Sequence, residues 1–83
     1  MNIIKNLEGS KLEIVLEGRL DTTTAPSLDD ELKQSVEGVT ELVFDFEKLE
    51  YISSAGLRVL LSAQKIMNKQ GSMKIINVND TIM

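Results

Sequence analysis

The adjacent hydroxyls of Ser53 and Ser54 are the groups in this chain best placed to do chemistry. A strand-like apolar run ends just before them and a long amphipathic run begins just after, so both sit where a helix starts. A helix start offers free N–H groups and a partial positive charge. Four uses of the pair are open. Serine is among the best N-cap residues, which gives a purely structural reading. A hydrolase nucleophile on a strand–turn–helix elbow needs Gly two positions before the serine, and Ile52 stands there; such a serine also relies on His, and the chain has none. A phosphate-binding loop of the G-x-x-x-x-G-K form is absent. The fourth use is regulatory phosphorylation of Ser54, which adds about −1.5 to −2 charges where a helix tolerates an anion well. Capping by one serine does not exclude phosphorylation of the other.

Asp21 is the second candidate. It lies in the loop from Gly18 to Thr24, which also holds Thr22 and Thr23. It reads either as a turn residue or as a carboxylate set beside Ser54, where it orients the hydroxyl toward a phosphoryl donor and later repels the phosphate. The other carboxylates form no catalytic or metal-binding cluster: Asp29, Asp30 and Glu31 fan around a helix axis, and Asp45, Glu47 and Glu50 read as strand-edge and turn residues. With no Cys there is no disulfide, thiolate nucleophile or zinc-thiolate site. With no His the commonest general base and metal ligand is missing too. No catalytic residue, metal or cofactor is expected.

The 83 residues allow one domain, which buries roughly 60–65 % of its unfolded surface and leaves little room for a deep active site. Net charge is −4 with scattered Lys and Arg, which disfavours nucleic acid and anionic membranes as partners. The N-terminus lacks a signal-peptide core, and no apolar run approaches the ~18–20 residues of a membrane span, so a cytoplasmic location is expected.

Ile3–Leu7 and Leu12–Glu17 predict an antiparallel hairpin around Glu8-Gly9-Ser10. Thr24 is placed to cap a helix with Pro26 in its first turn and Ala25, Leu28, Leu32 and Val36 on its apolar face; Gly38 ends it. Glu41–Phe46 predicts a strand, with Tyr51-Ile52 at its end or in the following loop. The second helix runs from about Ala55 to Gln70, with Leu57, Leu60, Leu61, Ala63, Ile66 and Met67 inward, and Gly71 closes it. Met73–Val78 predicts a fourth strand, and Asn79 or Asp80 a cap for a further helix at Thr81. The order is ββαβαβ, an α/β fold whose first hairpin is antiparallel and whose remaining strands are parallel. The two loops carrying Asp21 and Ser54 then share the carboxyl end of the sheet, where such folds meet ligands and partners.

Two stretches carry more than pattern. Gly18-Arg19-Leu20-Asp21-Thr22-Thr23-Thr24-Ala25 resembles the G-x-L-D-x-x-T-A segment of bacterial anti-sigma factor antagonists, which are STAS domains. Tyr51-Ile52-Ser53-Ser54-Ala55-Gly56-Leu57 resembles their phosphorylation loop. The resemblance covers essentially the whole chain as a single STAS domain, residues 1–83, with the family's C-terminal helix apparently missing. It implies partner switching. The unmodified antagonist binds an anti-sigma factor that is also a GHKL-type serine kinase, and so frees a sigma factor. Phosphorylation breaks the complex, and a PP2C-type phosphatase resets it. By the resemblance the acceptor is Ser54, and the loop aspartate is Asp21. Gly56 is the helix-start glycine that lets the partner approach. Many members carry Asp before the acceptor, and Ser53 in that place is a second candidate site. The implied partner surface is Asp21, Thr22, Thr23, Ser53, Ser54, Gly56 and the exposed side of the second helix with Arg58. A truncated domain is also expected to favour homodimers or strand exchange. The alternative is a STAS regulatory subunit of a transporter or lipid-transfer complex; a nucleotide-binding domain is a further rival, disfavoured by the missing phosphate loop.

Overall fold

The computed structural model describes residues 1–78. Strands β1 (Asn2–Glu8) and β2 (Lys11–Leu20) form the antiparallel hairpin, in register from Asn2 opposite Glu17 to Glu8 opposite Lys11. Gly9 turns between them at a φ of +60°, a conformation that glycine adopts without strain. Helix α1 (Ala25–Ser35) follows, then β3 (Glu41–Asp45), β4 (Leu49–Ile52), α2 (Ser54–Gln70) and β5 (Ser72–Ile76). The spatial order is β1-β2-β3-β5, with β4 on β2, and every pairing except β1–β2 is parallel.

Both helices share one core with the sheet. Alternation places Leu12, Ile14 and Leu16 of β2 and Leu42 and Phe44 of β3 in it. Leu28 and Leu32 of α1 and Leu60, Ala63 and Met67 of α2 close over them. The Phe44 and Phe46 rings lie 6.1 Å apart and tilted by 52°, a favourable aromatic arrangement. α2 runs directly into β5 because Gly71 passes the backbone of Thr40; a Cβ there would lie 1.8 Å from the Thr40 carbonyl oxygen.

The strand count differs from the sequence-based expectation. Among the described residues there are five strands, not four, in the order ββαββαβ. The chain leaves β3 after Asp45, turns with the Leu49 amide donating to the Phe46 carbonyl at 3.1 Å, and resumes as β4. Four residues carry little periodic signal, yet Leu49 is buried and pins the short strand. β2 also continues to Leu20 rather than ending at Glu17. Gly18, at a φ of +99°, forms a bulge instead of a loop, and Arg19 and Leu20 then pair with Tyr51 and Ile52. β5 ends at Ile76 rather than Val78. The expected cap at Asn79 or Asp80 and the helix at Thr81 lie outside the described residues.

Candidate modification and docking site

The carboxyl-terminal end of β2 holds the site together. The Leu20 carbonyl accepts from the Ser53 amide at 2.9 Å, so the Asp21 loop and the start of α2 are joined by a backbone hydrogen bond. Leu20 itself is fully buried. Gly56 packs on it from the first turn of α2: a Cβ at that position would meet Leu20 Cγ at 2.7 Å and Ile52 Cγ1 at 2.9 Å. Gly56 is therefore buried, and the space its missing side chain leaves is filled by the domain's own Leu20 and Ile52.

The two serines have different situations. Ser53 is the N-cap of α2, in extended backbone, and its Oγ accepts from the Gly56 amide at 3.3 Å. Its carbonyl accepts from the Leu57 amide at 3.0 Å. Ser54 is the first helical residue and is exposed. Among the described residues, no hydrogen bond or ion pair engages the Ser54 hydroxyl. The capping use falls to one hydroxyl, and the other faces solvent.

Asp21 turns back into its own loop. Its Oδ1 accepts from the Thr23 hydroxyl at 2.6 Å, the Thr23 amide at 3.0 Å and the Thr24 amide at 3.2 Å. The Thr23 hydroxyl leads in holding its carboxyl below the ordinary aspartate range, with the two loop amides adding to it. Thr24 occupies the N-cap position of α1, but its hydroxyl caps nothing: it donates to the Arg19 carbonyl at 2.8 Å and accepts from the Asp21 amide at 2.8 Å. The Asp21 carboxylate and carbonyl satisfy the amides leading into α1 instead, including that of Ala25 at 2.8 Å. Thr22 and Thr23 are exposed at the loop tip. No hydrogen bond joins the Asp21 carboxylate to Ser54; the two loops are tied at this end of the sheet through the Leu20 carbonyl and the Ser53 amide.

Two features of the site depend on tertiary geometry. The Arg19 guanidinium lies 4.3 Å above the Tyr51 ring, and its Nε is 3.8 Å from Asp21 Oδ2. The Arg19–Tyr51 pairing depends on the β2–β4 register, which places the two residues opposite each other. Leu57 and Leu61, expected in the core, are 51 % and 63 % exposed. The signal existed: at 100° per residue, Leu61 lies about 140° round α2 from the mean direction of Gly56, Val59, Leu60, Ala63 and Met67. The outer face of α2 is thus a stripe of Ser54, Leu57, Arg58, Leu61 and Lys65, all exposed.

Away from this end, a groove of about 460 Å³ lined by Lys5, Asn6, Leu7, Glu8, Lys11 and Glu13 lies at the opposite end of the β1–β2 hairpin. Among the described residues no group of His, Cys, Asp and Glu is arranged to hold a metal ion. No described helix is long and apolar enough to cross a membrane.

The STAS domain family matches residues 3–83, and the chain belongs to that family. It is 42 % identical over 60 residues to BtrV of Bordetella bronchiseptica, named as an anti-sigma factor antagonist; the match covers 70 % of this chain and 52 % of that protein. The chain thus spans about half the length of the curated relative it matches. The fold resembles that of the anti-sigma factor antagonist SpoIIAA in its unphosphorylated form, with a TM-score of 0.84 and 19 % identity over 96 % of this chain and 76 % of the other. SpoIIAA of Bacillus in the phosphorylated form superposes with a TM-score of 0.80, 19 % identity and the same coverage.

Proposed function

We propose that this domain is an anti-sigma factor antagonist that works by binding and is not an enzyme. Unphosphorylated, it binds an anti-sigma factor that is also a serine kinase, and a sigma factor is released in the cytoplasm. The kinase transfers the γ-phosphoryl group of ATP to Ser54 Oγ, ADP leaves, and the serine proton passes to a base on the kinase. The phosphoprotein then dissociates, and a PP2C-type phosphatase hydrolyses the phosphate to reset it.

The observation that carries this reading is the division of labour at Ser53 and Ser54. Ser53 is occupied as the cap, while Ser54 is exposed and unbonded at the head of an exposed apolar and cationic stripe. A phosphate there meets the N-terminal end of α2 without displacing the Ser53 cap. The docking surface comprises Thr22 and Thr23 at the loop tip, Asp21 beneath them, Ser54, and the Leu57, Arg58 and Leu61 face. Gly56 contributes by seating the helix, and Ser53 by starting it. The likeness to a relative seen in a phosphorylated form supports the same reading at the level of fold.

The test is incubation with the cognate anti-sigma factor kinase and Mg-ATP, followed by peptide mapping. Phosphate is expected on Ser54. Phosphate found only away from Ser53 and Ser54 overturns the acceptor assignment, and a Ser54→Asp protein that binds the kinase as tightly as wild type overturns the switch.

A further inference from the structure

We propose that Arg58 is the residue that receives a phosphate on Ser54, closing an ion pair within α2. The proposal rests on Ser54 being the acceptor. Arg58 lies four residues on from Ser54, a rise of about 6 Å, on the same exposed face. Side chains on a helix lean toward its N-terminus, so Arg58 reaches back over the turn that carries Ser54. The anion precedes the cation, which is the favourable order for such a pair. Among the described residues Arg58 has no hydrogen bond or ion pair to give up. α2 contains no acidic residue to compete for it.

The same spacing already closes elsewhere in this chain. Asp29 and Lys33 of α1 stand anion first, four residues apart, and their Oδ2 and Nζ are 2.9 Å apart. A phosphoserine is longer than aspartate and an arginine longer than lysine, so the pair on α2 has more reach. The guanidinium also presents a fork that fits two phosphate oxygens. The other cations nearby are worse placed. Arg19 is shared between the Tyr51 ring and Asp21. Lys65 is about 16 Å further along the helix axis.

Arg58 flanks Leu57 and Leu61 on the outer face. Pairing it with the phosphate removes the cation from that surface and lays a desolvation-resistant ion pair beside the two leucines. Phosphorylation then closes the docking face in two ways: it adds negative charge, and it withdraws the positive charge the partner meets.

The experiment places phosphoserine at position 54 of the full chain by co-translational incorporation, which needs no kinase. The second ionisation of the phosphate, ordinarily near a pKa of about 6, is followed by phosphorus NMR in this protein and in the Arg58→Gln, Arg58→Lys and Arg19→Gln backgrounds. Arg58→Gln is expected to raise the midpoint by about 0.3 units, Arg58→Lys by less, and Arg19→Gln hardly at all. The Arg58 Nε–H resonance should also move as the phosphate loses its second proton. An unchanged midpoint in Arg58→Gln, or a larger shift in Arg19→Gln than in Arg58→Gln, overturns the pairing. Because no kinase is used, that failure is separate from failure of the acceptor assignment, which peptide mapping decides.

Discussion

Gly56→Ala sets two effects of opposite sign against each other. Alanine is the better helix former by about 0.8–1 kcal/mol in a helix interior, and less near an end, so propensity alone predicts a more stable domain. The structure predicts the reverse. The new methyl would sit 2.7 Å from Leu20 Cγ, 2.9 Å from Ile52 Cγ1 and 3.0 Å from Leu20 Cδ2. Leu20 is fully buried and cannot swing aside without disturbing the core beneath it. Overpacking of this kind costs about 1–3 kcal/mol, and three close contacts to constrained side chains place it in the upper half of that span. The net loss is about 1–2 kcal/mol, or a fall in Tm of about 4–16 °C for a domain of this size. Urea unfolding followed by circular dichroism measures it directly. A Gly56→Ala protein as stable as wild type, or more stable, would refute the claim that the glycine exists to seat α2 on Leu20. A second readout localises the effect: the Ser53 amide, held by the Leu20 carbonyl, should exchange with solvent faster once the helix start is lifted.

The two serines should respond differently to alanine. Ser53→Ala removes the cap on the Gly56 amide and should cost about 1 kcal/mol in urea unfolding, whereas Ser53→Asp should retain most of that stability because aspartate caps equally well. Ser54→Ala should stay within about 0.5 kcal/mol of wild type while abolishing phosphate incorporation. The Asp21 carboxyl should titrate below the ordinary aspartate range by carbon NMR. Its lowered folded value means that its contribution to stability is present above the unfolded pKa and is lost as pH falls through the folded one. Asp21→Asn should therefore flatten the acid limb of the stability profile, and a carboxyl titrating at the ordinary value would overturn that cause. Leu61→Ala should leave stability nearly unchanged, because the side chain is exposed, yet weaken kinase binding in calorimetry; unchanged affinity would remove Leu61 from the docking face.

The parts of the fold with strong periodicity were legible in the sequence. The hairpin, both helices, the strand Glu41–Phe46 and the meeting of two loops at one end follow from alternation, helical spacing and turn residues. What escaped depends on tertiary geometry. β4 has four residues, too few to show a period, and exists because β2 continues past its Gly18 bulge to pair with it. Gly18 reads as the start of a loop because glycine marks both loops and bulges. Thr24 reads as a cap from residue type alone, whereas its hydroxyl is taken up by the Arg19 carbonyl and the Asp21 amide, and the first amide of α1, that of Ala25, donates to the Asp21 backbone carbonyl. Leu57 and Leu61 read as core because they are leucines at helical spacing; their position on the far side of the Val59–Leu60–Ala63–Met67 arc places them in solvent. At the site, the sequence could mark Ser53 and Ser54 as a pair at a helix start. Only the backbone geometry separates the one that caps from the one that is free.

The absence of acidic residues from α2 gives the domain a lopsided field. Arg58, Lys65 and Lys69 make the helix +3, while the rest of the chain sums to −7. The positive charge of α2 lies on its exposed side, against a chain that is negative elsewhere. A negatively charged partner would be turned toward that face before contact, and the rate of encounter would fall as salt rises. A phosphate of nearly two negative charges reduces the helix to about +1, so the modification removes most of the positive charge that aims the approach. Under the proposed switch, a phosphorylated protein would thus meet such a partner more slowly as well as bind it less tightly.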